Sequence, residues 1–207
     1  MIDIQKTNIF TDDCYSFTLP NHEEWSKNIK TIVTIEENKD IHHHITTPEH
    51  ECNVKANRTA WDSHFRYPIV NSLNEEIVNI IYQFIEEENF DAPKIKVEDC
   101  WINWYKKNDH AEPHDHGKHL SIVYFVDVEE TDAQFMFFKR NKYSLVKKEK
   151  NKMIFNDRKM LTVKNGTVVM FSGDMLHSVT PNTTDATRIT YAANFIVEYD
   201  GKHRKSY

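Results

Sequence analysis

The sequence has 207 residues, of which 39% are hydrophobic and 12% aromatic, so it is too apolar for a disordered chain and long enough to bury a core without disulfide staples. A formal net charge of −6 argues against a nucleic-acid footprint, and the one positive run, Lys147–Lys152, is broken by Glu149 and Asn151 and reads as the solvated end of a hairpin. Cys14, Cys52 and Cys100 lie far apart with no CxxC spacing, the pattern of free thiols in a reducing compartment.

In chain order, the start MIDIQKTNIF lacks the basic-then-apolar pattern of a signal peptide, and no apolar run reaches the ~20 residues of a membrane span. A cytoplasmic protein without membrane partners is expected. Asn21 followed by Glu24 reads as a helix start, after which Trp25, Ile29, Ile32 and Ile35 recur at helical spacing. Ser72 and Glu75 suggest a capping box for a second helix, whose stripe is Leu73, Ile77, Ile80, Ile81, Phe84 and Ile85. Both stripes read as core that braces a sheet.

From about residue 94 the apolar period changes to two. Lys96–Lys106 and Leu120–Val128 predict strands, as do the shorter Gln134–Lys139 and Lys152–Phe155. Met160–Lys164 and Thr167–Phe171 flank Asn165-Gly166, which predicts a two-residue hairpin, and Arg188–Glu198 alternates cleanly. Short strands closed by turns, with no βαβ alternation, predict a mainly β jelly-roll barrel with flanking helices. One domain is expected over 1–207, in which 1–93 brace a barrel formed by 94–200.

Most of the twelve histidines need no function: His42, His43 and His44 read as an exposed loop, and His22, His50, His64 and His203 stand alone. The segment Asp109–Leu120 differs, because it carries four histidines between two predicted strands. In extended chain, His114 and His116 point to one face while Asp115 points away, so both imidazoles can reach one metal. Alone, His-x-His is a weak signal. Downstream, a strand and a glycine-containing turn deliver His177, and eleven residues on stands Arg188, which shares a strand face with Thr190, Ala192 and Asn194. A buried arginine beside a hydroxyl suits a dicarboxylate, since guanidinium makes bidentate bonds to carboxylate.

This order of residues resembles the 2-oxoglutarate/Fe(II)-dependent oxygenase superfamily, and within it a family of oxygenases of bacteria and marine bacteriophages. The blocks that carry the resemblance are Trp101–Tyr105, His114-Asp-His116, Ser121–Phe125, then Gly166, Phe171 and His177, and last Arg188-Ile-Thr190 with Asn194, so it spans about half the chain. The resemblance implies a double-stranded β-helix, an Fe(II) site on His114, His116 and His177, and a 2-oxoglutarate pocket that includes Arg188, Tyr105, Thr190, Asn194 and Ser121. Tyr105 reads equally well as a core aromatic. The implied reaction is dioxygenase chemistry on an unidentified small-molecule or protein substrate, most simply a hydroxylation, with release of succinate and CO2.

His116 departs from the superfamily, where an aspartate or glutamate completes a two-histidine, one-carboxylate triad. A second departure is Phe125, where relatives often carry a tyrosine. The register His110-x-Glu112 offers an alternative with a carboxylate, at the expense of leaving His114 and His116 unexplained. Two other functions stay open: a cupin-like three-histidine dioxygenase that does not use 2-oxoglutarate, against which Arg188 argues, and a non-catalytic β-barrel binding protein.

Overall fold

The computed structural model describes residues 2–9, 12–39, 53–89, 91, 93–117, 120–139 and 158–198. The predicted strand Lys152–Phe155, the run Lys147–Lys152, Cys52 and the histidines 42–44, 50 and 203 lie outside the described residues. The first half of the chain supplies β1 (Gln5–Ile9), β2 (Asp12–Thr18), α1 (His22–Glu37), β3 (Val54–Lys55), β4 (Asn57–Arg58), α2 (Ser63–Arg66) and α3 (Pro68–Glu87). The second supplies β5 (Lys94–Tyr105), β6 (His110–His114), β7 (Leu120–Asp127), β8 (Phe135–Phe138), β9 (Arg158–Leu161), β10 (Thr167–Ser172), β11 (His177–Val179) and β12 (Arg188–Glu198).

These strands form two antiparallel sheets, a larger one in the order β1-β2-β10-β7-β12-β5-β4 and a smaller one in the order β3-β6-β11-β8-β9. The larger sheet is buried on both faces, which is why its central strands read as nearly unbroken apolar runs. Ile102 and Trp104 of β5, Ile122 and Tyr124 of β7, and Ile189, Tyr191 and Phe195 of β12 pack with α1 and α3 in one core. Their strand neighbours Tyr105, Val123 and Phe125 face the other way, into a second core shared with Ala111, Phe135, Phe137 and Val179 of the smaller sheet. Two polar bonds sit within the helix-side core, between Tyr191 and Asn74 and between Ser26 and Tyr124.

The predicted double-stranded β-helix is therefore present, with four local corrections. Ile35 is 47% exposed, because steps of three along a helix drift off the face; Ser26, Ile29, Ile32 and Val33 are the buried set. Helix α3 starts at Pro68, whose missing N–H and fixed φ suit a first turn, so Ser72 lies inside the helix and donates to Pro68 O rather than capping. Asn165-Gly166 does not close a hairpin. β9 pairs with β8, whereas β10 pairs with β2 and β7, so the turn carries the chain from one sheet to the other. The dipeptide's preference for positive φ is used at Gly166 (φ 89), and Asn165 Oδ1 instead accepts from Val128 N. Finally, β9 spans Arg158–Leu161 rather than Met160–Lys164.

Gly166 is constrained twice over. Its N donates to Phe125 O, its O accepts from Leu19 N, and a Cβ there would lie 2.6 Å from the His22 ring. Gly166→Ala is expected to lower stability by about 1–3 kcal/mol, from positive-φ strain and that clash, as read by the urea midpoint. A midpoint equal to wild type would show that the turn relaxes freely.

Candidate metal centre

β6 and β11 are neighbours in the smaller sheet, with His114 paired directly to His177. The same two strands pair Ala111 with Val179, so β6 holds one residue more than β11 between the pairs. This bulge contains Pro113, which has no N–H to give a ladder, and it breaks the simple alternation along the loop. Ala111 and His114 thereby both face the inter-sheet cavity. Glu112 instead pairs with Lys55 at the surface (3.0 Å), and His110 Nδ1 lies by Asn108 O. The alternative register His110-x-Glu112 is not brought to the cluster. Beyond β6, His116 N donates to Gly173 O, tying the loop to the turn that precedes His177.

The nitrogen atoms that His114, His116 and His177 can offer lie within 4.8 Å of one another. Each ring is turned by a bond on its far nitrogen. His114 Nδ1 donates to Glu112 O (2.7 Å), His177 Nδ1 to Met175 O (2.9 Å), and His116 Nδ1 to Asn194 Oδ1 (2.7 Å). With Nδ1–H so engaged, each Nε2 keeps a free lone pair, the outer-shell pattern that fixes the tautomer of metal-binding histidines. Burial also disfavours protonation. His116 is pushed down to about 4, His114 is lowered and His177 lies well below the ordinary value, chiefly through desolvation. Three neutral Nε2 donors suit a first-row divalent ion such as iron, zinc, copper or nickel.

The cavity behind the cluster is narrow and lined by Trp101, Asn103, Tyr105, Val123, Phe125, Phe135, Arg188, Thr190 and Ala192, among others. Arg188 is 1% exposed. Its Nη1 donates to Ala133 O (2.9 Å), its guanidinium lies 5.4 Å from the Phe125 ring centre, and its Nε and Nη2 have no partner. Desolvation pulls its pKa down to about 10, opposed by Tyr105, so it stays cationic at neutral pH. A buried cation with two idle donors thus shares one cavity with three converging imidazoles, and such donors can pair with a carboxylate.

Of the sequence-predicted pocket residues, Arg188, Tyr105 and Thr190 line this cavity. Asn194 and Ser121 lie behind the histidine cluster instead, where Asn194 Oδ1 accepts from both His116 and Ser121 Oγ. Among the lining residues with polar side-chain atoms, two are not singled out by the sequence: Trp101, whose ring meets His116 edge-on at 5.5 Å, and Asn103, whose buried Oδ1 has no partner. Both share the face of Tyr105 by period two, the same periodicity that groups Arg188, Thr190 and Asn194 on β12.

The fold and the site together define a double-stranded β-helix protein with three histidines placed close enough to share one metal ion. Residues 99–194 match the model of the family described as "Putative 2OG-Fe(II) oxygenase". The fold is similar to that of a Pseudomonas putida prolyl-4-hydroxylase (TM-score 0.59, 8% identity, covering 92% of this chain and 94% of that one). It is similar also to a Trichoplax adhaerens prolyl hydroxylase in complex with a peptide fragment (0.63, 11%, 95% and 89%). A third likeness is to HygX from Streptomyces hygroscopicus, solved with nickel and 2-oxoglutarate bound (0.57, 12%, 87% and 82%). No curated protein sequence matches the chain. The resemblance to the 2-oxoglutarate/Fe(II) oxygenases thus holds in both family model and fold.

Proposed function

We propose that the protein is a 2-oxoglutarate-dependent non-haem iron dioxygenase in which His114, His116 and His177 hold Fe(II) through Nε2 and Arg188 binds the distal carboxylate of 2-oxoglutarate. The observation that carries this reading is the pairing of idle Arg188 donors with the three-imidazole cluster in one cavity. When bound, iron and 2-oxoglutarate supply oxidation by dioxygen coupled to decarboxylation, giving succinate and CO2.

The chain's own part is to bind, orient and keep the site dry. Phe125 and Phe135 wall the cavity with apolar surface, which strengthens the Arg188–carboxylate attraction by excluding water. Asn103 and Thr190, paired across β5 and β12, present polar groups between Arg188 and the cluster. Substrate oxidation, most simply hydroxylation, then takes place at the cavity mouth, on a small molecule or a peptide. Among the described residues no helix is long and apolar enough to cross a membrane.

The test is spectroscopic. Adding 2-oxoglutarate to the Fe(II)-loaded protein without oxygen is expected to produce a weak visible charge-transfer band, which appears only when the oxo acid chelates the metal. Iron binding without the band would favour a three-histidine dioxygenase that does not use 2-oxoglutarate.

A further inference from the structure

Each of the three cluster histidines rests on a carbonyl oxygen, yet the three supports differ in kind. Those of His114 and His177 are main-chain carbonyls, Glu112 O and Met175 O. That of His116 is a side-chain amide at the head of a chain of bonds. Asn194 Oδ1 accepts from His116 Nδ1 and from Ser121 Oγ, both at 2.7 Å, and Asn194 Nδ2 donates to Asp99 Oδ1, also at 2.7 Å.

The backbone builds this arrangement on purpose. Asn194 pairs directly with Asp99 across β12 and β5, and Asn194 with Ser121 across β12 and β7. One residue further the β12–β5 register shifts, so that Phe195 pairs with Val97 and joins the helix-side core. The bulge thus ends the cavity-facing row of β5 just after Asp99. It leaves a carboxylate at the last inward position, opposite the Asn194 amide that bonds it.

From this geometry we infer that Asp99 is a positioning residue for the metal, acting through Asn194 to supply behind His116 the negative charge that three neutral imidazoles lack. The inference rests on the proposed metal site. Its chemical basis is the pull of the Asp99 carboxylate on the Asn194 amide. That pull locks the amide with Oδ1 towards His116 and polarises it, so that Nδ1–H is a better donor and Nε2 a more basic ligand. The need for charge is plain from the site: a dianionic oxo acid offsets the metal ion but leaves the Arg188 cation over.

The experiment compares Asp99→Asn with the exchange variant Asp99→Asn/Asn194→Asp, which places a carboxylate directly on His116 and can keep residue 194 bonded to His116, Ser121 and residue 99. Fe(II) and Zn(II) affinities are measured anaerobically against a chromophoric chelator, and the Fe(III)/Fe(II) midpoint potential by mediated titration. Asp99→Asn is expected to bind both ions about 10-fold more weakly or worse, the scale of an outer-shell partner, with a raised potential. The exchange variant is expected to recover the affinity and to show a potential below wild type, a reversal that simple misfolding cannot produce. Affinity and potential unchanged in Asp99→Asn, or an exchange variant as weak as the single, overturns the inference. If the single variant does not fold, the exchange variant alone decides by the same criterion. Failure of the wild-type protein to bind metal at all would instead sink the proposed function.

Discussion

Arg188→Ala is expected to weaken 2-oxoglutarate binding by about 1.5–3 kcal/mol, a factor of roughly 10–150, while metal content stays at the wild-type level. The loss follows from Nε and Nη2, the two donors that no protein group uses. Arg188→Lys should recover only part, since a point charge cannot reproduce the fork and one ammonium of shorter reach must also satisfy Ala133 O. A second consequence has the opposite sign. A guanidinium that is 1% exposed and only partly hydrogen-bonded costs the empty protein stability, so the apolar, similarly long Arg188→Met should make that protein more stable by about 1–3 kcal/mol. Calorimetric titration of 2-oxoglutarate and urea unfolding of the metal-free protein measure the two effects. Equal 2-oxoglutarate affinity in wild type and Arg188→Ala would refute the role given to this residue, whatever the stability result.

The contrast between Arg188 and its neighbours shows which features the sequence made legible. Strand periodicity alone puts Arg188, Thr190 and Asn194 on one face, and β12 keeps that alternation from Arg188 to Asn194. Beyond Asn194 the bulge interrupts it, and no sequence rule marks where a strand gains a residue. For the same reason β6 could be read in two registers: a bulge at Pro113 turns His114, rather than Glu112, into the cavity. The Asn165-Gly166 signal was real as backbone chemistry, since Gly166 has positive φ, but local turn preference says nothing about which sheets the flanking strands join. Helix α3 was recognisable from its apolar stripe, whereas its start was obscured because Pro68 and Ser72 both carry N-terminal preferences. Asn194 and Ser121 illustrate the remaining limit. A residue type suited to binding a ligand is equally suited to holding the group that binds it, and only distances tell the two apart.

Removing one of the proposed ligands has the largest expected effect. His177 is 3% exposed and packed against Phe171 at 5.0 Å and Phe135 at 5.6 Å, so no water or neighbouring side chain can take its place easily. His177→Ala should therefore lower Fe(II) affinity by more than the ~10–100-fold associated with an outer-shell partner, to the point that the purified protein carries no iron. His116→Ala should do the same, leaving two ligands and an Asn194 Oδ1 that has lost its imidazole partner. Restoring a carboxylate at that position is the more informative change. Asp is too short to reach where His116 Nε2 stands, whereas Glu matches the imidazole length more closely. Either, however, faces Asn194 Oδ1, an acceptor held in place by Asp99. His116→Glu is thus expected to retain Fe(II) and to turn over 2-oxoglutarate, less well than a hard anionic ligand alone would suggest. Adding Asp99→Asn should improve it, because the Asn194 amide is then free to turn its Nδ2 towards the new carboxylate. Iron is read by elemental analysis and turnover by succinate release. Full iron and full succinate production by His116→Ala would exclude His116 as a ligand and require the third ligand to come from elsewhere in the chain.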